Sequence, residues 1–387
     1  MENILKPAPG PLVGTVVVEI GGSLSAPFGA QILADLGAEV IKVEPLAGDD
    51  ARKWGAPILD GSSCSFHVTN RGKYSVVADF QTAADRQRVT DLIVERADIV
   101  IQNMRPGLAD RIGLGAETLR GLKPALIYCN IGAFGRLGPL ASRPGYDPLM
   151  QAFSGIMSVV GEEGNPPVRV GPALVDMGSG MWAVIGILSA MTARHASGVG
   201  ATVDVSLFET AVTWMMGYTA RFMATGDVAK RLGSGQIGIA PYRAFAAKDG
   251  DLVIAAGNDG LYRKLCSALD RAEWVSDPRF ATNSERYQNR AALNALIEDL
   301  IRQETVVYWL EVIEAAGVPC APIHNVQQMA EHAQTAALGM IQEVPGHFPM
   351  AQVMLPVSFD GERPRVQRGA PRLGEHTDLV FGEPVQD

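Results

Sequence analysis

Gly14 to Ile20 reads GTVVVEI, a β-branched run with no charge before Glu19, and Ala38 to Glu44 reads AEVIKVE. Between them lie the loop Gly21-Gly22-Ser23-Leu24-Ser25-Ala26, a proline at Pro27 where a first helical turn accepts one, and an apolar stretch, Phe28 to Leu36, stopped by Gly37. Strands this apolar suit a parallel sheet covered on both faces, and the helix between them completes a βαβ unit. The fold class is therefore α/β. The glycines, with an acid some twenty positions beyond them at Glu44, also suggest a dinucleotide site. However, GGSLSAPFG lacks the spaced third glycine that lets a helix pack close to a pyrophosphate, so nicotinamide-type binding is not expected.

The pattern continues downstream. Asn70-Arg71-Gly72-Lys73 leads into the strand YSVVA, helix Thr82 to Arg96 follows, and the strand ADIVIQ runs directly into Asn103-Met104-Arg105-Pro106-Gly107. A basic residue in a turn at a strand's carboxyl end lies where open α/β sheets bind ligands. Arg105, with Arg111 six positions on, suits a phosphate-bearing ligand, although a solvated loop charge is the plainer reading of either. The strand LIYCNI opens into a loop dense in Gly and Pro that ends in Arg143-Pro144-Gly145-Tyr146-Asp147, and a helix is expected from Pro148 to Val160. The strand TVDVS and an apolar helix from Leu207 to Thr225 come next, its methionines and aromatics reading as packing. A change of character at Gly226 to Gly238, which includes Gly233-Ser234-Gly235-Gln236-Ile237-Gly238, marks a boundary. Beyond it come a hairpin around Lys248-Asp249-Gly250, helices near Gly260 to Leu269, Ser284 to Gln303 and Thr305 to Ala316, a strand at Cys320 to Ile323 and a helix from Val326. The organisation expected is a large α/β domain over 1–225, completed by the returning tail 336–387, and a small α+β domain over 226–335. Arg363, Arg365, Arg368 and Arg372 of the tail are expected on its surface.

Composition limits the classes of function. The 387 residues, 47% hydrophobic and 19% charged, exceed one ordinary core and fit a loop-rich enzyme. A net charge of −9 argues against a general nucleic-acid binder. Cys64, Cys129, Cys266 and Cys320 show no ligand-like spacing, which speaks for a reducing compartment and against zinc or a disulfide framework. The N-terminal MENILKPAPGPL is proline-broken and unlike a secretory signal. The apolar run Met181 to Ala193 falls short of the roughly 18 residues a membrane span needs. A cytoplasmic protein with no membrane or nucleic-acid partner is expected.

The chemistry concentrates in VRVGPALVDMGSGMWAVIGILSAMTARH, Val168 to His195. VRVGPALV reads as a strand or extended arm, Met177 to Gly180 as a small-residue turn, and Met181 onward as a helix buried on nearly all sides. Asp176 stands at the mouth of that helix, as a cap or as a working acid. Glu162, Glu163 and His195 are the candidate co-ligands for a metal, but His195 lies roughly 28 Å away along the helix at 1.5 Å per residue, and no triad spacing results.

From about Pro11 to His376 the chain resembles the class III CoA-transferase family, the formyl-CoA transferase and carnitine CoA-transferase type. The resemblance is carried by PLVGTVVVEI, APFGAQILADLGAEVIKVEP, Asn70-Arg71-Gly72-Lys73, QNMRPG, RIGLG, LIYCNIGAFGRLGP, RPGYD, VRVGPALVDMGSGMWAVIGILSA, IAPYRAF, AAGNDG, DPRFATN and GVPCAPI, in this order. It implies a Rossmann-like parallel sheet in the large domain, an interlocked homodimer, and transfer of CoA from an acyl-CoA to a free carboxylic acid through covalent intermediates on Asp176. CoA or acyl-CoA would be substrate, with no permanently bound cofactor. The family's CoA contacts fall on Asn70, Lys73, Asn103, Met104, Arg105, Arg111, Arg143 and Tyr146, and its lid on Gly233, Gly235, Gln236 and Gly238. Asp176 is expected to be ionised at neutral pH, with the helix N-terminus helping. Leu24 stands where oxalate-using members are expected to carry a glutamine, a departure that speaks against formyl-CoA:oxalate transfer. The family also includes α-methylacyl-CoA racemases, which would have a histidine where Tyr146 stands; tyrosine is a poor proton acceptor at neutral pH, which favours transfer. A silent CoA-binding protein would keep Arg105 and Arg111 without needing Asp176.

Overall fold

The computed structural model describes residues 9–382, so most of the proline-broken N-terminal stretch lies outside the described residues. Six strands, Val16–Ile20, Glu39–Glu44, Lys73–Val77, Ile99–Gln102, Ile127–Gly132 and Thr202–Ser206, form one parallel sheet. Counted along the chain, they stand in the order third, second, first, fourth, fifth, sixth. That is the order of doubly wound Rossmann-type sheets. Alternate residues of each strand face opposite layers. Val17, Val40, Ile99 and Ile127 pack under the helices Ser25–Asp35 and Leu174–Ser197, while Val18, Ile41, Val76 and Val100 pack under Ala83–Arg96 and Ala116–Leu122.

The charges that interrupt these strands satisfy one another. Glu19 bridges Lys42 and Lys73, each at 2.7 Å, and Lys42 also reaches Asp49 at 2.9 Å, all of them buried. Burial works against the charge of Lys42, but Glu19, Asp49 and Glu44 outweigh it and hold its ammonium above the usual range. On Lys73 burial prevails over Glu19 and lowers the group to about 8.

Two compact units divide the chain. The first holds the chain through Ile156, Val170–Arg221 and everything from Ala333 on; the second holds Met157–Arg169 and Phe222–His332. Met157–Arg169, expected with the large domain, thus groups with the second unit. In that unit the strands Tyr242–Ala246, Asp251–Ala255 and Cys320–Pro322 form an antiparallel sheet, and Phe245, Leu252, Ile254, Leu265, Ile297 and Ile313 fill its core. The tail of the first unit closes the sheet's outer edge: His376 donates its amide to the Ser75 carbonyl at 2.8 Å, and Val77 donates to the Thr377 hydroxyl at 3.0 Å. Arg363 and Arg368, expected on the surface, are half-buried, Arg363 bonded to the Leu338 and Leu355 carbonyls and Arg368 lying 4.0 Å over the Tyr74 ring.

Several local expectations are corrected. Met177 to Gly180 is not a turn: the helix starts at Leu174 and runs without interruption to Ser197. Its small residues serve contact rather than turning. Gly178 faces Trp214, and Gly180 meets the backbone of Ser25 and Gly29. Nor is this helix buried on all sides, since Met181, Trp182 and Ile185 remain 49%, 39% and 50% exposed. By length and composition alone it could span a bilayer, yet Val175, Ala183, Val184 and Ile187 bury into the first unit's core. VRVGPALV forms no strand before it. Cys64–Asn70, expected as the end of a loop over 45–65 and the lead into the strand YSVVA, is a helix. The helices expected over Pro148 to Val160, Leu207 to Thr225 and Ser284 to Gln303 are each split in two, at Ser154-Gly155, Met215 and Asn289.

A side chain at position 180 would have nowhere to go: an added Cβ would lie 2.8 Å from the Ser25 carbonyl oxygen and 3.0 Å from the Gly29 amide nitrogen. Gly180→Ala is therefore expected to cost about 1–3 kcal/mol, read as a lower denaturation midpoint at unchanged slope.

Candidate active site

The strands Val16–Ile20 and Ile99–Gln102 are neighbours whose following helices go to opposite faces of the sheet. Such a reversal opens a crevice at the strands' carboxyl ends. A cleft of about 480 Å³ lies there, lined by Gly21, Gly22, Ser23, Asp49, Asn103, Met104, Arg105, Tyr146 and Asp176 among others.

Asn103 ties the two switch-point loops together. It accepts the Gly22 amide at 3.0 Å and donates to the Gly22 carbonyl at 2.8 Å and the Ser25 hydroxyl at 3.2 Å. Ser23 holds a left-handed backbone, φ 66°, and gives its amide to Asp49 at 2.9 Å. Asp49 is fixed in turn by the Ala51 amide and Lys42. The Gly22 and Ser23 amides are thus engaged, whereas a phosphate-binding glycine loop presents such amides to its ligand. This agrees with the absence of a third spaced glycine.

Asp176 occupies the first turn of Leu174–Ser197. The residue that shapes its surroundings, Asp147, is not evident from the sequence. The buried Asp147 carboxylate accepts the amides of Val175 at 2.8 Å and Asp176 at 3.2 Å, capping the long helix from a distant point in the chain. Gln151 steadies it with a 2.6 Å hydrogen bond and accepts the Val170 amide at 2.9 Å. The Asp176 carboxylate itself has no hydrogen-bond partner among the described residues. Burial, and secondarily the Asp147 charge, raise its carboxyl to about 7. The expectation that Asp176 is ionised at neutral pH with help from the helix N-terminus is therefore corrected: burial raises the carboxyl, and the Val175 and Asp176 amides go to Asp147 instead.

The remaining candidates separate into three groups. Asn103, Met104, Arg105 and Tyr146 line the cleft with Asp176. Arg111 and Arg143 are exposed outside its lining. Asn70 and Lys73 are fully buried: the Lys73 ammonium donates to Glu19, the Pro27 carbonyl and Asn70, and Asn70 donates back to the Phe66 carbonyl. A CoA contact through those two side chains is corrected accordingly; they hold the helix Ser25–Asp35 against the sheet. Gly233, Gly235, Gln236 and Gly238 belong to the second unit, where Gly235 and Gln236 line a different cleft.

The fold is a doubly wound α/β sheet with the Asp176 carboxyl in the cleft at its switch point. The chain belongs to CoA-transferase family III, whose model matches residues 12–377. It is 39% identical to the acetyl-CoA:oxalate CoA-transferase of Acetobacter aceti, over 95% of this chain and 94% of that one. It is 36% identical to the succinate–glutarate CoA-transferase of Agrobacterium fabrum, over 96% and 95%. The crystal structure of a CAIB/BAIF family protein from Brucella suis superposes with a TM-score of 0.86 at 39% identity, covering 96% of this chain and 98% of that one.

Asp147→Asn removes the neighbouring charge while leaving an oxygen to accept the helix amides. The Asp176 carboxyl is expected to titrate below its present value of about 7, followed by its carboxyl carbon resonance. Asp147→Ala also removes the cap and is expected to cost a further ~1–2 kcal/mol of stability.

Proposed function

We propose that this enzyme moves CoA from an acyl-CoA donor to a free dicarboxylic acid through covalent intermediates on Asp176. The observation that carries this reading is the Asp176 carboxylate, which lines the switch-point cleft and has no hydrogen-bond partner among the described residues. Its oxygen attacks the donor thioester carbonyl, expelling the CoA thiolate and forming a mixed anhydride. The thiolate then attacks the aspartyl carbonyl, releasing the donor acid and leaving Asp176 as a CoA thioester. The acceptor carboxylate attacks that thioester, and the freed thiolate attacks the acceptor's carbonyl of the new anhydride, which returns Asp176 as a carboxylate. A carboxyl raised to about 7 is more basic, and so a stronger nucleophile once ionised, than one at its ordinary value.

A dicarboxylate acceptor is supported by the names of the two relatives, which specify oxalate, succinate and glutarate. Arg105, exposed in the cleft lining and with no carboxylate partner among the described residues, suits the phosphates of CoA. The lid role of Gly233 to Gly238, residence in the cytoplasm and an interlocked homodimer are parts of the same proposal. The exposed Met181, Trp182, Ile185, Trp214 and Met216 support the homodimer, which light scattering at twice the chain mass tests.

Incubation with an acyl-CoA and hydroxylamine, followed by peptide mapping, is expected to place the adduct on Asp176. Absence of the adduct together with full activity in Asp176→Ala would sink the mechanism. A carboxyl near 7 also suits proton transfer, so α-deuterium wash-out from a 2-methylacyl-CoA without any acceptor would instead favour racemisation.

The pH dependence follows from the raised pKa. The nucleophile is the ionised form, so kcat/KM for the donor is expected to rise with pH and level off above about 7. Stability runs the other way. Between the unfolded value near 4 and the folded value near 7 the native state holds the extra proton, and the associated stability is lost as pH rises through 7. Asp176→Asn is therefore expected to abolish transfer yet be more stable than the parent at pH 8, by on the order of 1–2 kcal/mol after discounting for the solvent that reaches the cleft. The two should converge near pH 3, as read by denaturant unfolding.

A further inference from the structure

We propose that the second unit carries an oxyanion-binding site of its own, in a cleft of about 450 Å³ walled by Arg231, Arg243 and Arg290 with Gln236 and Asn294. All three arginines are half-buried, and among the described residues none has a carboxylate partner. Arg231 donates to the carbonyl oxygens of Glu162 at 3.3 Å and Asn165 at 2.6 Å, Arg243 to that of Ala244 at 3.0 Å, and Arg290 to that of Tyr287 at 3.1 Å.

Two of the guanidiniums are held by rings rather than by anions. Arg243 lies 5.8 Å from the Phe245 centroid and Arg290 4.7 Å from that of Tyr287. The bond to Ala244 uses only Nε of Arg243, so both of its terminal nitrogens stay unengaged, as does Nη2 of Arg290. Asn294 keeps a side-chain oxygen that is buried without a partner. Turning that amide over would present its N–H donors at the same position.

Two acids, Glu162 and Glu163, also line the cleft. Lys230 engages Glu163 at 3.2 Å. The Glu162 carboxylate sits against Gly233, where a Cβ would collide with it. With Glu163 balanced by Lys230, three arginines face one remaining acid, and the wall is net positive.

Forked donors around a positive wall fit a carboxylate or a phosphate group. Both chemistries belong to the substrates of the reaction proposed above, the free acid and the phosphates of CoA. The site itself is argued from the second unit alone and does not need Asp176 to be a nucleophile.

Titration calorimetry of the full chain with succinate and, separately, with adenosine 3′,5′-bisphosphate tests the proposal. At least one probe is expected to bind, with affinity falling by about tenfold or more in Arg243→Gln/Arg290→Gln and remaining in Asp176→Asn. Loss of succinate binding identifies a carboxylate site; loss of bisphosphate binding identifies a phosphate site. Asn294→Asp, which adds a negative charge to the wall without removing an arginine, is expected to weaken the same probe and covers the case in which the double variant fails to fold. The proposal is overturned if neither probe binds, if binding survives these substitutions, or if Asp176→Asn alone abolishes it.

Discussion

Asp147 and Asp176 compete for one positive helix end. At the start of the long helix the buried Asp147 takes the amides of Val175 and Asp176. Asp176 is left beside a charged neighbour and with no hydrogen bond of its own. The helix terminus that would have lowered its pKa is spent on its neighbour, and burial raises it instead. A side chain that a helix-mouth argument makes a quiet cap thus becomes a cleft carboxyl raised to about 7.

The floor of the cleft is held with comparable economy of donors. The Glu19, Lys42 and Asp49 chain fixes Ser23 in its left-handed conformation, and Asn103 clamps Gly22 from the adjacent loop. A buried ion pair adds little net stability, but losing one member strands a charge; this makes the loop geometry hard to deform. Because those amides are engaged, they offer no glycine-loop cradle to an anionic ligand here. The topology is that of nucleotide-binding folds, while the donors that would bind a nucleotide are committed elsewhere.

Much of the architecture was legible because it rests on periodicity. The largely apolar runs at Val16, Ile99 and Ile127, and the Lys248-Asp249-Gly250 turn, each read as the elements they form. What failed was whatever depends on distant partners. Small residues at Gly178 to Gly180 look alike whether they turn a chain or admit a neighbouring helix, and only the approach of Trp214 and the Ser25 backbone decides. Asp147 stood in plain view beside Tyr146, but its role comes from a helix beginning almost thirty residues later. Asn70 and Lys73 were carried over by resemblance as CoA contacts and proved to be interior. Lys42 and Glu19 did leave a signal that was readable, charges inside strands otherwise suited to full burial, and such charges need partners.

The long helix links the Asp176 carboxyl to an apolar surface. One side carries Val175, Ala183, Val184 and Ile187 into the core; the other leaves Met177, Met181, Trp182 and Ile185 in solvent, at the spacing of one helical face. Met177 adjoins Asp176, so whatever covers that face also removes water from the turn that holds this carboxyl. Desolvation is already the main cause of the raised Asp176 pKa. Covering the face would act in the same direction, making the carboxyl more basic and its ionised form more reactive. The association proposed for this chain and the chemistry proposed for Asp176 are thus joined through one helical turn.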